Sequence, residues 1–210
     1  MADRVIAYVD GLNLYYGLLR GKRGRRWLDL SAVVAALVPG TEVDRVKYFT
    51  ARVKDFDGTG AHQRQDVYLR ALAAHGGVET HFGSFRVDKR RRKLVVPIGP
   101  SRYADVWSPE EKGSDVNLGS HLVLDGALGR YDLAVVVTND SDLAEPIRLT
   151  VTELGKVVVL VHPSGAPAGR LVQAGPTQTM RLHVNTILKC QLPDPVNDPE
   201  GRKIRKPKDW

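Results

Sequence analysis

Four aspartates in three separate segments are the residues of this chain best suited to chemistry. Asp10 ends the apolar run Val5-Ile6-Ala7-Tyr8-Val9, Asp115 follows Glu111-Lys112-Gly113-Ser114, and Asp140 and Asp142 follow Leu133 to Asn139. Carboxylates drawn together repel one another and favour a hard divalent cation with oxygen ligands. Such a cation can lower the pKa of an attacking water and stabilise charge on a phosphoryl centre and its leaving oxygen. In a chain of net charge +7 the combination suggests a metal-dependent nuclease.

Each acid has a simpler explanation on its own. Asp10-Gly11 is a common turn pair. Asp115 suits the first turn of a helix capped by Ser114. One of Asp140 and Asp142 can cap the helix that follows. Pro146, however, fits best in a first helical turn, which leaves both of these acids upstream in the strand-to-helix connection. Two acids directly after a buried strand exceed what capping needs, so the conjunction is more specific than any member.

The elements that must position these acids alternate between strand and helix. Residues 4–9 read as a strand and 12–20 as a helix with Leu12, Tyr15, Tyr16 and Leu19 at helical spacing. A basic loop leads to a short helix capped by Asp29 or Ser31 and stopped by Pro39-Gly40. Strands are expected over 43–53 and 78–82 around a helix at 60–75. Residues 84–98 read as two short strands around a hairpin tip at Asp88 to Lys93. Ser114 starts a helix to about 128, residues 131–137 form the most apolar strand, and a helix at 144–154 precedes a strand at 156–161. Beyond His162 a Gly- and Pro-rich loop, a last strand at 179–184 and a helix near Asn185 are expected. Residues 193–210 read as a basic, Pro-rich flexible tail beyond a domain of residues 1–192. The alternation implies a three-layer α/β/α, Rossmann-like domain with a mostly parallel central sheet and a small inserted hairpin. Acids at the carboxyl ends of parallel strands fall in the crevice where such sheets bind ligands.

Composition narrows the partners. The chain has 210 residues, 42% of them hydrophobic, enough for one sizeable core. No apolar stretch is long enough for a membrane span, and Met1-Ala2-Asp3-Arg4 has no signal-peptide character. The single Cys190 rules out an internal disulfide and fits a cytoplasmic protein. A sequence pI near 9.6 favours polyanions.

The segments Val9-Asp10-Gly11-Leu12-Asn13, Lys112-Gly113-Ser114-Asp115-Val116 and Thr138-Asn139-Asp140-Ser141-Asp142-Leu143 resemble, in this order, the NYN domain, a PIN-like family related to the LabA and DUF88 group. The likeness covers roughly residues 3–192. It implies a PIN-like sheet and a Mg2+- or Mn2+-dependent ribonuclease, with Asp10, Asp115 and Asp140 as metal ligands and Asp142 as a supporting acid. It also implies that Asn13 orients phosphate or a ligand and that Thr138 lines the site. Relatives often carry another acid six residues after the position of Asp115. Here His121 stands there, on a roughly similar helix face, as a softer ligand, a phosphate contact or a packed histidine.

RNA is the expected partner. Arg20, Lys22, Arg23, Arg25 and Arg26, then Lys89 to Lys93 including Arg91, then the tail, form three basic clusters that could meet its phosphates. Lys112, beside Asp115, is the cation expected nearest to substrate. Tyr15 and Tyr16 read as core residues, whereas Trp27, Tyr103 and Trp107 could stack on bases. Two rivals stand beside the ribonuclease: a catalytically weak RNA-binding or regulatory module, which His121 keeps open, and a phosphatase acting on small metabolites. Oligomeric state stays open, although PIN-like relatives often form homodimers.

Overall fold

The computed structural model describes residues 4–55, 58–208 and 210. The opening Met1 to Asp3, read above for leader character, lies outside them. Six parallel strands form the central sheet in the order β3-β2-β1-β6-β7-β8. They are β1 (Val5–Asp10), β2 (Val43–Thr50), β3 (Val78–Phe82), β6 (Leu133–Val137), β7 (Val157–His162) and β8 (Gln178–Arg181). All six residues of β1 are buried, as expected for a central parallel strand covered on both faces.

Strand periodicity sorts the core into two layers. Val5, Ala7 and Val9 of β1, Val135 and Val137 of β6, and Val159 and Val161 of β7 point to one face. There they meet Leu30, Val33 and Val34 of α2 (Leu30–Leu37), Leu69 and Leu72 of α3 (Ala61–His75) and Ile187 of α7 (Val184–Lys189). The alternate residues Ile6, Tyr8, Ala134, Val136, Val158 and Leu160 point to the other. They pack on Leu118 and Leu122 of α4 (Ser114–Ala127), Ile147 of α5 (Ala144–Thr152) and Leu171 of α6 (Gly169–Gln173). Side chains alternate across a strand, so near-continuous apolar runs feed both layers at once. The three-layer α/β/α architecture expected from the sequence is therefore present.

Three expectations need correction. Lys89 to Lys93 are not a hairpin tip. They lie inside the long strand β4 (Ser84–Ile98), which turns at Gly99-Pro100 and pairs with β5 (Ser101–Lys112) as a separate antiparallel sheet. No residue of this strand is fully buried, and beyond Val87 its basic run carries no apolar alternation to be read. The segment read as a flexible tail instead forms the small hairpin β9 (Val196–Asn197) and β10 (Lys203–Ile204). Val196 and Ile204 are buried, and the Trp210 ring lies 5.7 Å from that of Tyr68 on α3. A few apolar residues among many charges suffice to dock it. The loop expected after His162 also contains α6, which buries Leu171. Among the described residues no helix is long and apolar enough to cross a membrane.

Candidate functional site: an acid-lined cleft at the carboxyl ends of the central strands

Register places the first and third acidic segments side by side. Val9 of β1 pairs with Val137 of β6, so Asp10 and Thr138 follow at adjacent positions. The strand order reverses here, with β2 on one side of β1 and β6 on the other, which makes the crevice beyond their carboxyl ends the expected ligand site. The helix α1 (Gly11–Leu14) leaves directly from Asp10. A Cβ on Gly11 would sit 2.6 Å from the Tyr48 ring and 2.7 Å from the Phe49 carbonyl, so only glycine allows that exit. α1 then passes into a π-turn, Tyr15–Leu19, which widens the expected helix.

A cleft of about 410 Å³ opens there, lined by Asp10, Leu12, Asn13, Tyr16, Gly17, Glu111, Asp115, Asp140 and Ser164. Four carboxylates line it and no basic side chain does. Asp10 is 3% exposed, and both its oxygens already accept hydrogen bonds, from the Asn13 N–H at 2.9 Å and the Thr138 hydroxyl at 2.9 Å. Burial above all, with repulsion from Asp115 and Asp140, pushes its carboxyl up to about 7. Burial and then repulsion from Asp140, Glu111 and Asp142 push Asp115 up to about 6. Asp10 also caps α1, and the Asp140 carboxylate caps the 3₁₀ turn Ser141–Leu143 through the Asp142 N–H at 2.9 Å. The capping and cleft roles coexist. Pro146 sits in the first turn of α5, as expected.

Supporting hydrogen bonds tie the cleft walls together. The Thr138 hydroxyl, fully buried, holds Asp10 from beneath and accepts from the Asp140 N–H at 3.0 Å. Asn13 accepts from the Asn139 N–H at 2.9 Å. Asn139 in turn donates to the Ser164 and Ala166 carbonyls and accepts from the Ala168 N–H. Asn139 thus couples the β6 end to the loop after β7. Its only sequence signal is its place between Thr138 and Asp140.

The remaining expectations fare unevenly. Asp142 is exposed and sits just outside the cleft lining, although its charge reaches Asp115. Lys112 is exposed and its ammonium lies 3.6 Å from Glu110. Arg23 is exposed in the loop after the π-turn, Arg25 donates to the Leu18 carbonyl, and Arg91 stacks 5.4 Å from the Tyr103 ring on the β4–β5 hairpin. None of these cations lines the cleft. His121 faces away from it. Its Nδ1 lies 3.3 Å from Lys47 Nζ, and its ring packs 4.3 Å from that of His81. Six residues along a helix rotate about 600°, roughly 120° short of two full turns, so Asp115 and His121 occupy different faces. Tyr16, read as core, is 61% exposed and lines the cleft, whereas Tyr15 packs on the core. Glu111 was missed as a site acid. Its carboxylate accepts from the Ser114 N–H at 3.0 Å while facing the cleft. Among the described residues no three His, Cys, Asp or Glu side chains converge closely enough to hold a metal ion directly.

Fold and cleft together define a three-layer, Rossmann-like α/β protein with an acidic ligand crevice at the switch point of its sheet. No family model matches the chain, so the likeness to the NYN domain rests on the three motifs themselves. The chain is 29% identical to the 6-hydroxy-3-succinoylpyridine 3-monooxygenase HspA of Pseudomonas putida, over 99% of its own length and 75% of that protein's. The structure also resembles that of a protein of unknown function from Vibrio parahaemolyticus, with a TM-score of 0.55 and 15% identity over 88% of this chain and 95% of that one. The second likeness concerns the fold alone. The first overturns the ribonuclease expected from the acids, because that relative is named a monooxygenase and not a phosphodiester hydrolase.

Proposed function

We propose that the protein is a monooxygenase-type oxidoreductase that inserts one oxygen atom of dioxygen into a hydroxylated heteroaromatic ring bound in the acidic cleft. The carrying observation is the identity with the Pseudomonas putida monooxygenase across 99% of the chain, a span that takes in every cleft residue. For a ring C–H, as in simple hydroxypyridines, the balance is R–H + O2 + 2 e− + 2 H+ → R–OH + H2O. A two-electron donor, such as a reduced nicotinamide, must supply the electrons. Tyr16 and Leu12 offer the ring an aromatic and an apolar wall. Asp10, titrating near neutrality, can take the proton of the ring hydroxyl and release it again. Removing that proton enriches the ring in electrons at the carbons where electrophilic oxygen adds. Asp115, lowest in proton affinity of the two, can hold a second proton.

The test is oxygen uptake with 6-hydroxy-3-succinoylpyridine and simpler hydroxypyridines, a reduced nicotinamide, and added flavin. The expected product carries one heavy oxygen atom when isotopically labelled dioxygen is used. No uptake and no labelled product across these substrates and donors would remove the assignment.

The same donor set fits a hard divalent cation, Mg2+ or Mn2+. Asp10, Asp115 and Asp140 would hold it through its water shell, as Mg2+ commonly retains several waters. When bound, it supplies positive charge that keeps neighbouring oxygens ionised. Added Mg2+ is expected to raise the melting temperature at pH 8 by a few degrees, and an Asp140→Asn variant is expected to lose that rise. An identical rise in the variant, or none in the native chain, would dismiss cation binding at this cleft.

A further inference from the structure

The β4–β5 hairpin is a long arm that packs almost wholly against itself and touches the rest of the chain only marginally. An isolated two-stranded hairpin is marginally stable in water, and gains stability from further strands or from packing. The arm also leaves large apolar side chains in solvent. On β5, Tyr103 is 49%, Val106 38% and Trp107 62% exposed.

The two free edges differ. β4 carries six basic side chains and one acidic one, Asp88, whereas β5 carries two basic and three acidic. Charged, especially lysine-bearing, edges resist pairing. Pairing β4 with a second β4 would set two strongly basic strands about 4.8 Å apart. Pairing β5 with a second β5 joins two nearly neutral strands and leaves the β4 strands three spacings apart. That distance, about 14 Å, exceeds the Debye length of about 8 Å. Asp105 is already offset within its own arm by Lys89 at 3.2 Å.

Pro109 shows which backbone groups the β5 edge offers. It lacks an N–H, and it pairs with Val87 inside the ladder. A proline in a strand is accommodated where its nitrogen points away from the partner strand. By strand alternation the N–H groups of Trp107 and Asp105 then also point outward, beside the exposed Trp107 side chain, whereas the Tyr103 N–H and carbonyl are both taken by the Ser101 hydroxyl. Pro109 itself ends the usable edge, which runs from Ala104 to Ser108.

We propose that the β5 edge is a self-association surface, on which a second copy of this chain lays its own β5 antiparallel to form a four-stranded sheet in the order β4-β5-β5-β4. The pairing is isologous, the same segment on both copies, so it closes as a dimer rather than growing into a fibre.

Sedimentation velocity on the full chain at tens of micromolar tests this without reference to any activity. The expected mass is twice 23.2 kDa. Asp105→Pro removes one outward N–H, and Trp107→Lys places a charge beside the edge. Both are expected to sediment as monomers while keeping the far-ultraviolet dichroism of the native chain, and Arg92→Ser on β4 is expected to remain dimeric. A monomeric native chain overturns the proposal. So does a dimer that survives both β5 substitutions, or one broken by Arg92→Ser alone.

Discussion

Asp10→Asn raises the melting temperature at pH 8, measured with chelator present, while abolishing turnover. The expectation follows from the cost of holding a charge where Asp10 sits. Its carboxyl is 3% exposed and pushed up to about 7 from an ordinary 3.8, first by burial and then by the charges of Asp115 and Asp140. A raised folded-state pKa means that the folded chain binds the proton more tightly than the unfolded one. Stability from this group is therefore greatest below about pH 4, declines as pH rises, and reaches its full penalty above about pH 7. A shift of some three units corresponds to about 4 kcal/mol as an upper bound. At this chain length each kcal/mol moves the melting temperature by roughly 2–4 °C.

The amide that replaces the carboxylate keeps the local geometry. Its oxygen can accept from the Asn13 N–H, and its nitrogen can donate to the Thr138 hydroxyl oxygen. The variant should gain about 5–10 °C over the native chain at pH 8, and little at pH 4, where Asp10 is protonated anyway. Loss of turnover follows because an amide cannot carry the ring proton. A variant less stable than the native chain at pH 8 would show that Asp10 is held ionised without strain, and would remove its assigned role as a proton acceptor.

The convergence of the acids was legible because β1 and β6 are buried on both faces. Such strands appear as unbroken apolar runs, and their ends are marked by the first charge, Asp10 in one case and Asp140 in the other. Pro146 fixed the start of α5; α4 does begin at Ser114, but Gly113 holds the cap position and no side chain caps the helix there. Tyr16 was illegible, because helical spacing assigns it to the face of Leu12 and Leu19 only if the helix stays regular. The π-turn over Tyr15–Leu19 rotates it into the cleft instead. Glu111 was hidden at the end of an exposed strand that carries no alternation. The chemistry was the least legible of all. A cluster of carboxylates at a sheet switch point specifies proton affinity and a preference for hard cations, and these serve phosphodiester hydrolysis and oxygen transfer alike. Site chemistry is shared across reactions on one architecture, so the residues located the cleft without fixing the reaction.

Asp125→Ala is expected to be the most destabilising single substitution away from the cleft. Asp125 is fully buried on α4 and accepts three hydrogen bonds: from the Tyr8 hydroxyl at 2.7 Å, from Lys47 Nζ at 2.7 Å and from Arg130 at 2.8 Å. Burial alone would push this carboxyl up, but the bonds from Lys47, Tyr8 and Arg130 together outweigh it and hold the group below the ordinary carboxylate range. Truncation leaves the Lys47 ammonium, 3% exposed on the central sheet, without its counter-charge, and leaves the Tyr8 hydroxyl without its acceptor. Breaking one side of a buried pair costs about 3–5 kcal/mol, or roughly 6–20 °C in melting temperature for a chain of this size. Replacing both partners, Lys47→Met with Asp125→Leu, removes the stranded charge as well as the attraction, and the double variant should be more stable than Asp125→Ala. Thermal denaturation of the native chain, of Asp125→Ala, and of Lys47→Met and Asp125→Leu singly and together separates these effects. A double variant as unstable as the sum of its singles would mean that Lys47 and Asp125 contribute independently, and that the strand-to-helix junction is held by packing rather than by this ion pair.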